Sequence, residues 1–257
     1  MQLISELHHN RELIWALALK ELRVRYKRSA LGFVWALLNP LLMMVILTIV
    51  FSTIARLPVD RYAIFLISAL LPWTFFAQSL SYSVDSLVGN ADLLRKVKVA
   101  KSVFPAAAVA SNILNFLFSL VPLVGILLVL RFPFHWTWIF LPVPMLALML
   151  FTAGCGFFCA AANVFYRDMG HIVQIVLSGW FYLSPVMYSP EFLPEKYRWF
   201  IRLNPMLYLL NEFRMAIYYG QLPTIRSIAI SMVIGASALI LGYAYFRRSE
   251  DQFVYYV

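Results

Sequence analysis

Ionised side chains are scarce in this sequence. Asp, Glu, Lys and Arg make up only 13% of its 257 residues, about half their share in soluble domains. Hydrophobic residues make up 62%, and mean hydropathy is +0.78. A soluble globular domain is excluded, and the chain reads as an integral membrane protein. Cysteine is also rare. Cys155 and Cys159 lie one helical turn apart in an apolar run, too few for a disulfide framework or a metal site, and they read as packing residues. His8 and His9 sit in a polar stretch and read as solvated, while His135 and His171 lie near the ends of apolar runs. None of the ten glycines precedes a lysine, so a phosphate-binding G-x-x-x-x-G-K-[ST] loop is missing. No catalytic, cofactor or metal ligand set is expected in this chain.

What the sequence does have is long stretches without charge, at 32–55, 62–84, 102–130, 132–166, 169–190 and 227–246. Each is long enough to cross a hydrocarbon core of about 30 Å as a helix. The fourth is too long for one span, and its start, FPFHWTW, reads as an interfacial turn. Six transmembrane helices are predicted near 32–55, 62–84, 105–130, 138–162, 170–189 and 227–246, all within a single transmembrane domain over 1–257. The first begins after a charged segment and is too long for a signal-peptide core. Ion-coupled carriers keep ionisable groups at membrane depth, and acid–base enzymes need them at the reaction plane. These runs hold no Asp, Glu, Lys or Arg, and His135 and His171 sit only near their ends, which argues against both.

The net charge of +9 lies between the runs, so it reads as topological, with no nucleic-acid partner. One side collects Arg11, Lys20, Arg23, Arg25, Lys27, Arg28, Arg95, Lys96, Lys98, Lys101, Arg167, Arg247 and Arg248. The other holds Arg56, Arg61, Arg131, Lys196, Arg198, Arg202, Arg214 and Arg226, five of them in one long segment. Both termini are therefore expected in the cytoplasm.

Residues 11–28 should form a helix lying along the cytoplasmic leaflet. Trp15, Ala18, Leu19, Leu22 and Tyr26 share one face, and Leu13, Leu17 and Val24 form a second apolar stripe. The connection between the second and third spans predicts a short helix through Asp92, Leu93, Leu94, Arg95 and Val97, with Asn90 or Asp92 as cap and Pro105 near the start of the next span. Arg167 and Asp168 read as an interfacial ion pair.

The spans are rich in rings. Trp73, Phe75, Phe76 and Tyr82 fall in the second, and Trp180, Phe181 and Tyr182 in the fifth. A sugar offers C–H groups on its flat face and hydroxyls at its edge, so aromatic faces and uncharged hydrogen-bonding groups suit a sliding polymer. Ser79, Ser81, Ser83, Asn112, Asn115 and Gln174 can provide the latter. At least half of the rings are expected to serve packing and lipid contact instead. After the fifth span, Pro185, Pro190 and Pro194 break the helix while the rings Tyr188, Tyr197 and Trp199 continue. Two short helices over 191–214, split near Asn204–Pro205, are expected at the external leaflet. Irregular backbone at that depth needs cover from protein or a water-filled cavity, so the segment reads as an external gate.

Three stretches together, RVRYKRSALGFVWALLNPLLMMVI (23–46), NADLLRKVKVAKSVFP (90–105) and YRDMGHIVQIVLSGWFYLSPVMYSPEFLP followed by LNP (166–205), resemble the membrane subunit of ABC transporters that export polysaccharide: O antigen, capsule or teichoic acid. The resemblance covers essentially the whole chain. It implies an all-α permease in the bacterial inner membrane. It implies a homodimer with a channel between protomers, and two copies of a separate cytoplasmic ATPase that binds ATP and Mg. The cargo would be a lipid-linked polysaccharide, O antigen before the others. Channel-lining residues are expected among Phe75, Phe76, Tyr82, Asn112, Asn115, Trp180 and Phe181. Contacts to the ATPase are expected from Trp15, Leu19, Leu22, Tyr26, Asp92, Leu93, Leu94 and Arg95. The external gate would use Pro185, Tyr188, Pro190, Tyr197, Trp199 and Pro205. The alternatives are an exporter of the same architecture for a small lipophilic drug or lipid, and a membrane enzyme or scaffold of the cell envelope.

Overall fold

The computed structural model describes residues 2–27, 31, 32, 34–54, 59–96 and 99–256, and among these every regular element is a helix. Short helices α1 (Gln2–His9) and α2 (Arg11–Tyr26) precede α3 (Val34–Thr48), which continues as a wider π-helical turn over Ile49–Ile54. Then come α4 (Tyr62–Asp85), α5 (Ala91–Lys96), α6 (Val103–Val129), α7 (Pro142–Phe165) and α8 (Met169–Leu183). After these lie α9 (Glu195–Arg202), α10 (Pro205–Arg214), α11 (Ile225–Ser249) and α12 (Phe253–Tyr256). Arg28, Arg56 and Lys98, which contribute to the charge asymmetry, lie outside the described residues, as does Val97.

The charge-free runs became helices because nothing in them competes with the backbone. Among the described residues, four stretches are long and apolar enough to cross a membrane: Tyr62–Asp85, Val103–Val129, Trp136–Phe165 and Ile225–Gln252. Two more, Leu37–Ser52 and Met169–Leu183, are apolar but shorter. With 15 residues, α8 reaches about 22 Å before it breaks. The FPFHWTW turn resolves into a tight 3-10 turn over Trp136–Phe140, and Pro142 then opens α7, where its missing N–H has no partner to lose. Pro105 likewise falls in the first turn of α6.

α4 is the central helix and α11 lies at the rim. The most apolar stretch of α4 is 78% buried, that of α11 only 17%. α11 nevertheless packs tightly along α7, because glycines let the backbones meet. A methyl group on Gly242 would overlap the Gly154 carbonyl, and one on Gly154 would overlap the backbone of Ala238. Gly242→Leu is therefore expected to lower the unfolding temperature of the detergent-solubilised protein, at a cost of about 1–3 kcal/mol or more. Gly179→Ala, where a methyl meets nothing within 4 Å, should leave that temperature almost unchanged in the same scan.

A second apolar cluster fastens the end of the bundle where α1 and α12 lie. Leu87, Phe104, Phe157, Val164, Phe246 and Phe253 are buried together, and Leu3, Leu17, Leu93 and Leu94 pack on them. Thus α1, α2, α5 and α12 are all held to the ends of the long helices. Lys101 donates to the Glu250 carbonyl, Arg247 pairs with Glu250, and Glu6 accepts from Ser102 and Tyr243. In place of the expected Arg167–Asp168 pair, Arg167 donates to the Tyr256 carbonyl. Asn90 uses its amide on the Ser86 carbonyl at 2.8 Å.

Candidate functional site

An open groove of about 640 Å³ runs between α4 and α8 and is edged by Met43 of α3. α4 contributes Trp73, Thr74, Ala77, Gln78, Ser81 and Tyr82, and α8 contributes Gln174, Leu177, Ser178, Phe181 and Tyr182. Both sets recur at helical spacing, so each helix presents one continuous stripe. The stripes alternate rings with hydroxyls and amides, and among the described residues no Asp, Glu, Lys or Arg lines the groove. Thr74, Ser81 and Ser178 donate back to the carbonyls of Leu70, Ala77 and Gln174 at 2.7–2.9 Å. That bond fixes each hydroxyl and leaves its oxygen as an acceptor toward the groove.

The structure divides the predicted ring set. Tyr82 and Phe181 line the groove. Phe76 is fully buried behind it, edge-on to Trp73 at 5.7 Å and Trp180 at 5.4 Å, with Phe151 at 5.6 Å. Phe75 is buried against Phe116 at 6.0 Å. Asn112 and Asn115 line a much smaller cavity of about 30 Å³ between α3, α4 and α6, which Phe75 and Gln78 share. Trp180 turns to the other side of α8, toward a separate apolar groove with Val173, Val176 and Phe158. Sequence reasoning missed Thr74, Gln78 and Ser178. The signal was present in the four-residue recurrence of small polar side chains through Thr74, Gln78 and Tyr82, and through Gln174, Ser178 and Tyr182.

At its C-terminal end α8 breaks at Ser184–Pro185, and the carbonyls that the break frees are claimed one by one. Asn204 donates to the Leu183 carbonyl and the Ser184 hydroxyl, both at 3.1 Å. Its Oδ1 also accepts from Trp180 Nε1 and from the Met206 N–H that starts α10, both at 3.0 Å. Arg214 Nη2 donates to the carbonyls of Pro185 and Val186, each at 2.9 Å. Tyr62 of α4 donates to the Met187 carbonyl at 2.7 Å. One polar network therefore holds the break of α8 against α4 and α10, and it explains how irregular backbone survives there. Of the expected gate residues, Pro185 is buried in this turn, and Tyr188, Pro190 and Pro205 are half-buried. Tyr197 and Trp199 are exposed on α9, which anchors itself through Ile201. Glu212 and Arg214 both lie buried on α10 without pairing to each other, Glu212 accepting instead from Ser227 and Ser231 of α11.

At the opposite end of the bundle, α2 packs along α6 through Ala18 and Leu22. Trp15, 51% exposed, and Leu19 stand on its outer edge, while the Tyr26 side chain lies outside the described residues. Asp92 and Arg95 are exposed on α5, and Leu93 and Leu94 are half-buried against the second apolar cluster. The face that the sequence pattern assigned to α2 is thus split between the bundle and the surface.

Residues 12–218 match the sequence model of a family described as "ABC-2 type transporter". The chain belongs to the ABC-2 type transporter family. Its ABC-2 relatives align over nearly their whole length. An O-antigen export system permease protein, RfbA, of Myxococcus xanthus is 31% identical over 259 residues, covering 98% of each chain. A protein of the same name from Klebsiella pneumoniae is 31% identical over 244 residues, 94% of this chain and 93% of the relative. The polysialic acid transport protein KpsM of Escherichia coli is 23% identical over 240 residues, 92% and 93%. Helices α3 to α10, all of α2 but its first residue, and the groove fall inside the matched region. The chain is thus a membrane transport subunit.

Proposed function

We propose that this ABC-2 permease exports a lipid-linked polysaccharide, O antigen before capsule or teichoic acid, across the bacterial inner membrane. It works as a homodimer in which the α4–α8 groove of each protomer forms half of a continuous path. Six crossings are made by α3 with its π-helical continuation, α4, α6, α7, α8 and α11, with both termini in the cytoplasm. Two copies of a separate ATPase bind ATP and Mg and act on α2 and α5 from the cytoplasmic side. The α9–α10 segment closes the path outside.

The uncharged, ring-bearing face of the groove carries this reading. Tyr82, Phe181 and Tyr182 offer flat faces, and Gln78, Gln174 and Ser178 offer hydrogen bonds that any sugar hydroxyl can take up. Such contacts are weak and repeated, so a polymer slides over them with little resistance. The polar members of the face also disfavour a purely lipophilic cargo. Reading O antigen first follows from the names of the 31% identical relatives.

The test is reconstitution with the partner ATPase in proteoliposomes loaded with lipid-linked O antigen. ATP-dependent movement of the sugar to the other side is expected, and none with the permease alone. Tyr182→Ala should reduce that rate several-fold while leaving the unfolding temperature nearly unchanged, since the ring is exposed. A large loss of thermal stability in this variant would mark Tyr182 as a packing residue instead.

A further inference from the structure

Toward α2 the groove ends at Tyr82. On the other side of that ring lies a second cavity of about 310 Å³, walled by Glu21, Arg25, Asp85, Asn90 and Phe104 between α2, α4 and α6. Tyr82 lines both spaces, and no other described residue does. It remains 37% exposed, so the ring stands between two open volumes and is not packed away in a core.

Arg25 holds that ring in place. Its guanidinium carbon lies 3.7 Å from the centroid of Tyr82. Nη1 donates to Asn112 Oδ1 at 3.1 Å, and Nη2 donates to Glu21 Oε1 at 3.4 Å. α2 thus supplies both the cation and the carboxylate that orients it, while α6 fixes the other arm of the fork. Burial raises the pKa of Glu21 above the ordinary carboxylate range, opposed by Arg25 and the Ser111 hydroxyl. A guanidinium stacked on a ring is a modest, reversible contact, of a kind that can break and re-form in every transport cycle. It also lies on the helix whose outer edge carries exposed Trp15 and Leu19, so any force on α2 is passed to the ring through one side chain.

We propose that Tyr82 is the constriction at the inner end of the cargo path, and that Arg25 is the positioning residue that keeps it closed until α2 moves. This rests on reading the α4–α8 groove as the path. When α2 shifts, the guanidinium leaves the ring, Tyr82 swings, and the cavity and the groove join into one passage from the cytoplasmic side. A simple strut between α2 and α4 would share the contacts but would not control permeation, which gives the two roles different signatures.

The experiment uses the full transporter with its partner ATPase in proteoliposomes. It reads ATP-driven export of polysaccharide and, separately, ATP-independent leak of an entrapped neutral trisaccharide. Tyr82→Ala and Arg25→Ala are each expected to raise the leak about two- to fivefold, the scale set by losing one partly exposed cation–π contact. The double variant should leak no more than Tyr82→Ala alone, because the arginine acts through the ring. Tyr82→Phe should stay tight and Arg25→Lys should leak at an intermediate rate. Where an alanine variant fails to fold, Tyr82→Trp gives the reading instead: a larger ring should slow export without any leak. Folded Tyr82→Ala or Arg25→Ala protein with no leak, or unchanged export in Tyr82→Trp, would overturn the proposal. Continued export in those variants would leave the path reading standing, whereas a wild-type transporter that moves no polysaccharide under ATP would defeat the path reading itself.

Discussion

Arg214→Ala is expected to lower the unfolding temperature more than any other single substitution in the outer half of this protein, and to abolish export with it. Arg214 is 2% exposed and has no carboxylate partner among the described residues. A buried cation without a counter-ion persists only when other groups replace its hydration. Here the carbonyls of Pro185 and Val186 accept from Nη2, and the guanidinium lies 3.8 Å over the Phe65 ring. Removing the side chain strands both carbonyls in a protein interior at about 1–3 kcal/mol each. It also removes one of the two ties between α10 and the break in α8, leaving the one through Asn204. Arg214→Lys keeps the charge but not the planar fork, so it should recover only part of the loss. Thermal unfolding in detergent, followed by the export assay on whatever remains folded, gives both readings. Wild-type stability in Arg214→Ala would mean that the turn at 184–187 is held by Asn204 and Tyr62 alone.

The second large effect is expected from a charge placed in the groove. Ser178→Asp should reduce export to a few per cent of wild type or less while the protein still inserts and assembles. Ser178 is exposed on the groove stripe of α8, so the substitution disturbs no packing. A fixed charge at membrane depth costs about 2.5–3.5 kcal/mol on insertion scales, and in a homodimer two carboxylates would face one path. Ser178→Asn, neutral and able to hydrogen-bond, should export near the wild-type rate. Equal export by Asp and Asn variants, measured by surface-exposed polysaccharide, would show that cargo does not pass this stripe.

The sequence made the helices legible because hydropathy and charge are local properties. The expected span near 62–84 became Tyr62–Asp85, and the one near 105–130 became Val103–Val129. The break after the fifth span was equally plain from Pro185, since a proline ring cannot continue a helix. Which rings face the groove was not legible, because Phe75 and Phe76 point about 100° apart on one helix and only the position of α8 decides which direction is open. Arg214 carries a related lesson. In the sequence it counts as one more external positive charge, yet it continues the apolar recurrence through Leu207 and Leu210 on α10, and Leu210 and Arg214 are both buried. An arginine inside an apolar stripe signals a buried anchor, and the carbonyls it serves lie 28 and 29 residues earlier in the chain. The Arg25–Tyr82 stack was hidden for the same reason, because it joins two helices whose packing no local pattern records.

The claim that sugar travels along the uncharged face of α8 has a direct test. A photoreactive amino acid is placed at Ser178, on the groove stripe, or at Val176, on the apolar opposite side, in the ATP-hydrolysing transporter carrying cargo. Illumination should attach polysaccharide to position 178 and not to position 176. Labelling at 176 with none at 178 would contradict the account.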